Sequence, residues 1–514
     1  MQVRLAGHNL DRDLLDDIRA TLARAAQLPG ALSTEVDQLR ADASRLIEKD
    51  NWTPETLSAA YARISRDPRP IGELRAVARD EVDAARRSNE TIIFGFGHHS
   101  VAEHAVLNLD ILGLSRLAVE EIERMRLCSY TEKSQRYILL DEDFVVPEEV
   151  RAAGCEDEFR EMLRKQNAFY REAYDRLLPW ILEQNPELAS QKKHRRMLEG
   201  WAKEDARYGL SLATTVQLGE TLNARNCEAL IARTAAHPLA ELREFSRRLH
   251  ETVLGVTPSL LLFTGPREGP ARAREELRAA AVPLFGEARE TAAPIEEATL
   301  LDAPADAETA VVAALLHTHG EAADARSCFE KAAAIGPGGR LEILRAALRG
   351  LGPHDTAPRE FEYAPFLFEL VLSAACFGQL KRHRMATLTV RPYDPALGVT
   401  VPPSFEATGL SEPFARLRRE TEDLYIRLVS RAGRAAAAYV LLNAHRRRVL
   451  WGLNARELYH VARLRLDEHA QWDIRRLSER VIGLVRDRFP GLFLMACGKD
   501  RFEERRHEVF GDRS

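Results

Sequence analysis

The chain has 514 residues, of which 45% are hydrophobic and 29% charged, and its formal net charge is −5. This length predicts two or more domains of globular composition. No stretch approaches the roughly 18 uninterrupted apolar residues of a membrane span, the first residues lack a signal-peptide pattern, and the six cysteines include no Cys-x-x-Cys pair. We therefore expect a soluble cytoplasmic protein with reduced thiols that binds neither nucleic acid nor membrane.

Helical periodicity dominates the chain, and apolar residues recur at helical spacing in residues 11–26, 57–65, 105–126, 157–178, 204–232, 307–317, 413–442 and 455–465. Strand-like segments lie at 2–5, 298–301, 366–372 and 387–390, and residues 105–112 fit a strand as well as a helix. The elements predict an α+β fold in which small, mainly antiparallel sheets are wrapped by long helices.

The sequence contains an internal repeat. An Asn-Ala-Arg triplet that begins at Asn223 recurs at Asn454, and each copy is followed by an apolar run, an arginine, a histidine four residues later and an acidic residue. Upstream, an Arg-x-Arg motif begins at Arg124 and again at Arg382. Turn-forming dipeptides in residues 264–297 predict a linker with a short helix over 271–281. We therefore predict two homologous domains, residues 1–263 and 298–514.

The two Arg-x-Arg motifs have kept different neighbours. The first has Met125 between its arginines and continues to Ser134 and Arg136, whereas the second has His383 between them and reaches Pro392 at the place of the serine. Paired arginines bind a phosphate dianion through forked, charge-assisted hydrogen bonds. The first copy therefore predicts a phosphate-binding loop, and the second copy lacks one.

The helix predicted over residues 204–232 contains two arginines, Arg207 and Arg225. If residues 204–232 form one helix, Arg207 and Arg225 lie on one face about 27 Å apart, at about 1.5 Å per residue. The two arginines are then expected to serve different ligands.

These motifs resemble the flavin-dependent thymidylate synthases, whose signature is Arg-His-Arg, seven residues and a serine. The first half keeps the arginines and Ser134, and the second keeps the whole Arg-His-Arg. The family's Gly-His-x-Ser/Thr-x-x-Glu-His motif resembles residues 97–104, and its Asn-Ala-Arg and His-Ala-Gln-Trp-Glu segments resemble residues 454–473. The resemblance implies a tandem fusion of two such domains with complementary, degenerate motifs.

Members of this family are homotetramers whose active sites combine neighbouring subunits and bind dUMP, FAD, methylenetetrahydrofolate and NADPH. The resemblance implies one composite dUMP site, formed by Glu132, Ser134, Gln135, Arg136 and Arg207 of the first half and Gln379, Arg382 and Arg465 of the second. It implies a flavin site formed by Ser100, Glu103, Arg382, His383, Arg384, Asn454, Arg456 and His460. Arg465 is the implied catalytic residue, since a buried arginine stabilises negative charge that develops on the uracil.

A second composite site, in which the two halves exchange roles, is predicted to be inactive. It would combine Glu121, Arg124 and Arg233 of the first half with Val390, Pro392 and Ala438 of the second. The last three cannot replace the glutamate, serine and arginine of the phosphate-binding side.

The resemblance implies that the chain converts dUMP to dTMP, with methylenetetrahydrofolate as carbon donor and NADPH as reductant. Two chains would supply the four domains of the family tetramer, so we expect a homodimer. The sequence leaves open whether the composite site closes within one chain or between chains. It also leaves open transfer to another pyrimidine nucleotide, and a catalytically silent relative that binds flavin or nucleotide in a regulatory or structural role.

Other conspicuous residues have structural interpretations. The histidines of residues 98–104 do not follow His-Glu-x-x-His spacing, so no metal site is predicted. Cys128, Cys227 and Cys376 lie among helical apolar residues and are expected in the core. The basic run 445–448 is expected to be solvated.

Overall fold

The computed structural model describes residues 1–26, 33–48, 52–136, 138–140, 143–266, 268–285, 295–321 and 324–511. Within these ranges, no helix has both the length and the apolar character needed to cross a membrane. Residues 286–294 of the predicted linker lie outside the described residues.

Two antiparallel sheets with the same strand order form the centre of the molecule. The first has the order β1-β2-β4-β3, with β1 (Gln2–His8), β2 (Val106–Ser115), β3 (Ser129–Glu132) and β4 (Thr215–Asn223). The second has the order β5-β6-β8-β7, with β5 (Ala298–Asp302), β6 (Pro365–Ser373), β7 (Thr387–Val390) and β8 (Arg446–Asn454). This identity of topology confirms the α+β fold and the tandem repeat.

Helices surround both sheets. Those of the first repeat are α1 (Arg12–Ala26), α2 (Ser33–Glu48), α3 (Glu55–Arg63), α4 (Ile71–Asp80), α5 (Val82–Asn89), α6 (Arg116–Ile122), α7 (Glu148–Ala152), α8 (Glu156–Gln184), α9 (Pro186–Ala189), α10 (Arg195–Ala206), α11 (Ala224–Ala235) and α12 (Ala240–Leu254). The linker carries α13 (Glu268–Phe285).

The helices of the second repeat are α14 (Ala307–His319), α15 (Ala325–Ala334), α16 (Gly336–Arg349), α17 (Ala374–Leu380), α18 (Ser404–Ala407), α19 (Ser411–Ala432), α20 (Arg434–Ala437), α21 (Ala455–Arg465), α22 (Trp472–Arg488) and α23 (Phe502–Phe510). Short 3₁₀ turns connect several of them, among them Arg207–Gly209 and Ala438–Val440, which occupy matching places in the two repeats.

The helix predicted over 204–232 is wrong over much of its length, and of the two alternatives for residues 105–112 the strand is the one that forms. Residues 105–126 form β2 followed by α6, and residues 204–232 contain the end of α10, β4 and the start of α11. In β4 burial alternates along the strand, because one face packs on the core. A strand therefore separates Arg207 from Arg225, and the expected spacing on one helix does not exist. The helix predicted over 413–442 ends at Ala432, before Gly433 with its left-handed φ of 85°.

The larger hydrophobic core belongs to both repeats. It joins Leu107, Phe159 and Phe245 of the first repeat to Phe405 and Leu428 of the second. A second core consists of residues of the second repeat alone. Cys128, Cys227 and Cys376 are buried, as predicted.

Reciprocal polar contacts join the repeats as well. The Tyr208 hydroxyl donates to Asp473 at 2.9 Å, and the equivalent Tyr439 hydroxyl donates to Glu241 at 2.6 Å. The backbone amide of Leu212 donates to the Leu441 carbonyl at 2.8 Å. The repeats thus face each other across an approximate twofold relation, and equivalent positions of both lie at their interface.

Candidate functional site

A cavity of about 190 Å³, here called the smaller cavity, lies between the repeats. It is lined by Arg116, Glu132, Lys133, Ser134, Gln135, Arg136, Arg207, Ala375, Gly378, Gln379, Arg382 and Arg465. All eight residues predicted for the nucleotide site are among them. One chain therefore brings both sets of residues to one cavity.

Local structure explains how the two sides meet. The first repeat contributes the loop after β3, where the Ser134 hydroxyl accepts from the Arg136 amide at 3.1 Å, and the 3₁₀ turn that begins at Arg207. The second repeat contributes α17, whose N-terminus is capped by Ser373, and the C-terminal end of α21. Rigid secondary structure thus positions the lining from both repeats.

The smaller cavity is strongly electropositive. Its lining has six cationic side chains and one carboxylate, that of Glu132. Burial acts to raise the pKa of the Glu132 carboxyl, but Arg116, Lys381 and Arg382 outweigh it and hold this pKa below its ordinary value. The lining is therefore built to receive an anion.

Several buried polar atoms of the lining have no hydrogen-bond partner. They are Nη2 of Arg207, Nε2 of Gln135 and Oε1 of Gln379. Burial lowers the pKa of the Arg207 guanidinium, because removing a cation from water disfavours its charged form. Unpaired buried polar groups cost free energy, so this arrangement indicates that a polar ligand completes it.

Arg465 is oriented by two acceptors. Its Nε donates to Nε2 of His383 at 3.0 Å, and its Nη2 donates to the Gln379 carbonyl at 3.1 Å. Because Nε2 of His383 accepts, its proton resides on Nδ1, which lies 3.4 Å from a Glu457 carboxylate oxygen. Burial lowers the pKa of His383, so the ring is neutral near pH 7.

A second cavity of about 560 Å³, the larger cavity, adjoins the smaller one and shares Arg382 with it. Its lining consists of Glu103, Val106, Arg126, Leu127, Cys128, Ser129, Thr221, Leu222, Asn223, Arg382, His383, Arg384, Met385, Glu457 and His460. Leu127 and Met385 are 68% and 78% exposed, which is unusual for apolar side chains of this size. Both Arg-x-Arg motifs therefore meet around one opening that is partly apolar and partly cationic.

Five of the predicted flavin residues line the larger cavity: Glu103, Arg382, His383, Arg384 and His460. Three do not. Ser100 lies beside Glu103 in the 3₁₀ helix His99–His104 but is not in the lining.

The other two are held elsewhere. The Asn454 side chain caps α21 by accepting from the Glu457 amide at 2.9 Å, and Arg456 donates to the Ala357 carbonyl and to Glu362.

The first Asn-Ala-Arg copy, rather than the second, adjoins the larger cavity. Asn223 lines the larger cavity, and Arg225 forms an ion pair of 2.5 Å with Glu103. Arg116, Arg126 and Asn223 were not predicted as site residues. The repeat did contain a signal for Asn223, since its triplet was visible, but only the fold shows which copy faces the second repeat's Arg-His-Arg.

Three potential metal ligands, on His383, Glu457 and His460, lie within 4.8 Å of one another. The neighbouring guanidinium of Arg465 already donates to His383, and Arg382 and Arg384 line the same cavity. These cations repel a metal ion and attract an anion. The cluster therefore fits hydrogen bonding to a ligand better than metal binding, and the absence of a metal stays a prediction.

The equivalent place on the other side of the twofold relation is filled by four buried side chains, here called the counterpart cluster: Glu120, Phe377, Tyr393 and Arg447. Arg447 donates to Glu120 at 2.8 Å, and the Tyr393 hydroxyl donates to the other Glu120 oxygen at 2.8 Å. The Arg447 guanidinium also lies 4.8 Å from the Phe377 ring centroid and 4.3 Å from that of Tyr393.

The basic run 445–448 was therefore wrongly predicted to be solvated. His445 is fully buried, and Arg447 is paired in the counterpart cluster. Glu120 of the first repeat pairs with Arg447, Glu422 of the second lies 3.5 Å from His445, and such distant partners are invisible in the local sequence.

The comparisons with known proteins agree with this architecture. A family model described as thymidylate synthase complementing protein matches residues 45–259 and 299–491, once in each repeat. A UPF0159 protein from Thermoplasma acidophilum is 23% identical over 475 residues, which is 85% of this chain and 93% of that protein. A flavin-dependent thymidylate synthase from Clostridium tetani is 27% identical over 215 residues, covering 41% of this chain and 83% of that enzyme.

Among solved structures, the UMP/dUMP methylase PolB from Streptomyces cacaoi, bound with 5-Br dUMP, is 19% identical and covers 39% of this chain and 95% of its own. Its TM-score of 0.32 is low. The double match to the family model is the decisive finding, because it spans most of both repeats. The chain belongs to the thymidylate synthase complementing protein family, that of the flavin-dependent thymidylate synthases, as a tandem two-repeat member.

Proposed function

We propose that the chain is an FAD-dependent thymidylate synthase that methylates dUMP to dTMP, with methylenetetrahydrofolate as carbon donor and NADPH as reductant. The observation that carries the proposal is the lining of the smaller cavity, where all eight predicted nucleotide residues meet within one chain. Family membership and the relatives named flavin-dependent thymidylate synthase support the reaction class.

The phosphate of dUMP is assigned to the loop after β3. Arg136 and Arg207 provide forked donors, and the Ser134 hydroxyl and nearby backbone amides add neutral ones. Arg136 also pairs with Glu204 at 2.5 Å, which fixes its guanidinium plane. A bound phosphate would supply the partner that Nη2 of Arg207 lacks.

The uracil is assigned to the side of the second repeat. Gln379 offers an unpaired acceptor, Gln135 an unpaired donor, and Arg465 a guanidinium held by His383. An unpaired acceptor and an unpaired donor in one cavity suit the alternating N–H and C=O groups of a pyrimidine edge. Arg465 is already oriented before the substrate binds, so it stabilises negative charge that develops on the ring without reorganising.

The larger cavity fits a flavin. Its volume of about 560 Å³ lies in the usual range for ligand pockets, and it adjoins the smaller cavity at Arg382. Arg126, Arg382 and Arg384 suit the pyrophosphate, and Leu127 and Met385 suit an aromatic ring. Bound flavin would supply the redox chemistry. Asn223 and Glu103 replace Asn454, Arg456 and Ser100 in this assignment.

The decisive experiment is tritium release from dUMP labelled at carbon 5, measured with FAD, NADPH and methylenetetrahydrofolate and with each omitted in turn. We expect release only with the complete mixture, and growth of a thymidine auxotroph that expresses the chain. A yellow protein that binds dUMP but releases no tritium would overturn the proposal in favour of a catalytically silent relative.

A further inference from the structure

Arg116 lines the smaller cavity although it belongs to α6, whereas the equivalent helix of the second repeat, α17, already lines this cavity. It is the first residue of α6, and the first residue of the equivalent α17 is Ala374. The second repeat therefore has no cation at this position. The Arg116 side chain is buried and reaches from the side of the counterpart cluster to the Glu132 carboxylate, with Nη1 3.1 and 3.2 Å from its two oxygens.

Glu132 has two further cations nearby. Nη2 of Arg382 lies 3.7 Å from its carboxylate and Nζ of Lys381 lies 3.9 Å from it. These two cations are also paired with Glu123, at 3.3 Å for Arg382 and 2.7 Å for Lys381. Arg116 is the nearest cation to Glu132, and it is the one that donates hydrogen bonds to both carboxylate oxygens.

Gly378 makes room for this contact. A Cβ atom at position 378 would lie 2.1 Å from Nη2 of Arg116, so no other residue fits without moving the guanidinium. The equivalent position of the first repeat, five residues after the capping serine, is Glu120. The route of Arg116 into the smaller cavity thus depends on a glycine that only the second repeat has.

We propose that Arg116 is a positioning residue for the substrate anion, which holds the Glu132 carboxylate so that Arg382 stays available to the nucleotide. The inference rests on the proposed function for the identity of that anion. Without Arg116, the nearest remaining cations for the buried Glu132 carboxylate are Arg382 and Lys381. The carboxylate would then compete with the substrate for Arg382, because a buried carboxylate requires a partner.

The test is a double-mutant cycle on the affinity for dUMP and for inorganic phosphate, measured by calorimetry on the full chain. Arg116→Gln should weaken binding of dUMP roughly 10-fold, raising KM far more than it lowers kcat. In a Glu132→Gln background, where Glu132 no longer competes for Arg382 and only the pair of Arg382 with Glu123 remains, the same change should have less than about a twofold effect. Arg448→Gln, which removes a comparable pair with Glu369 at 3.0 Å, should bind dUMP like the wild type.

Gly378→Ala provides a second route that leaves all charges in place. It should weaken binding as Arg116→Gln does, and add nothing in the Arg116→Gln background. Full affinity of Arg116→Gln, or equal losses with and without Glu132, would overturn the inference. If the wild type binds phosphate but not dUMP, the proposed function fails while the phosphate cycle still decides the role of Arg116. If it binds neither anion, both fail.

Discussion

The smaller cavity and the counterpart cluster occupy equivalent places of one duplicated scaffold, and two of the positions at which they differ explain why one is open and the other is filled. Gln135, three residues after the end of β3, lines the cavity, and the equivalent residue three after the end of β7 is Tyr393 of the cluster. Five residues after the capping serine, the cavity has Gly378 where the cluster has Glu120. Both places contain buried arginines. In the cluster, the protein's own carboxylate satisfies the arginine, and a tyrosine ring fills the space that a ligand would need.

Arginine content alone does not identify an anion site. What distinguishes the two places is whether the chain itself completes the hydrogen bonds. Arg207 keeps an unpartnered Nη2, whereas Arg447 is paired with Glu120 and packed on two rings. The unpartnered Nη2 of Arg207 lies in a cavity that a ligand can enter, whereas the paired guanidinium of Arg447 has a structural role.

The two sheets also differ at one buried position of their central strands, β4 and β8. Three residues before the asparagine cap, β4 has Glu220 and β8 has Trp451, and both are buried. Neither Glu220 oxygen accepts a hydrogen bond, and burial raises the pKa of this carboxyl to about 8. The acid is thus protonated near neutral pH in the folded state.

The largest effect is expected at Glu220. Its pKa in the folded state is raised above the ordinary value of 4.5, so its contribution to stability is complete below pH 4.5 and is lost as pH rises through about 8. The wild type should lose about 5 kcal/mol relative to Glu220→Gln across this window. Urea unfolding of both proteins from pH 4 to pH 9 measures the difference. Parallel stability curves would contradict the prediction.

Next in size is the loss of the ion pair in the counterpart cluster. Arg447→Met leaves Glu120 buried without its cation and should lower the free energy of unfolding by about 4 kcal/mol. Adding Glu120→Gln should recover most of that loss, because a neutral side chain needs no cation. Denaturant titrations test both steps, and an Arg447→Met protein as stable as the wild type would show that the pair contributes nothing.

Equivalent arginines of the two repeats allow a direct comparison of the smaller cavity with the place related to it by the twofold relation. Arg465→Gln should weaken dUMP binding on the order of 100-fold, about 3 kcal/mol, because it removes a buried charge from the smaller cavity. Arg233→Gln changes the equivalent residue of the first repeat, which lies outside both cavities, and should stay within about twofold of the wild type. Calorimetric titration measures both. Similar losses for the two variants would mean that the sides are not distinct.

A smaller effect is expected at Tyr393. Tyr393→Phe removes the hydroxyl that donates to Glu120 at 2.8 Å and should cost about 1 kcal/mol of stability. Affinity for dUMP should not change, since the residue lines neither cavity. Thermal unfolding gives the first value and titration the second. A tenfold loss of affinity would place the counterpart cluster in the binding machinery.

The smallest expected effect concerns mixtures of two inactive variants, which should not regain activity. Arg136 and Arg382 line the same cavity of one chain, so an equal mixture of Arg136→Ala and Arg382→Ala proteins should remain as inactive as either alone. The assay is tritium release after mixing and after joint refolding. Recovery toward a quarter or a half of wild-type activity would show that the sites form between chains instead.

The sequence predicted much of this molecule where patterns are local or repeated. The bounds of α21 agree with the prediction, and the composite set from Glu132 to Arg465 meets as the two copies of the motif required. Strand β4 was missed because its alternating apolar residues also fit the face of a helix until the partner strands are known. The roles of Asn223, Arg116 and Arg447 depend on which repeat faces which, and that is decided by the shared core.

The shared core also has a consequence for the amounts and proximity of the two repeats, because both belong to one chain. A covalent pair is always made in equal amounts, and each copy meets its complement at a very high effective concentration. A residue needed on only one side is then free to be lost from the other, as Met125 and Pro392 illustrate. Under the proposed function, neither repeat is expected to be active alone.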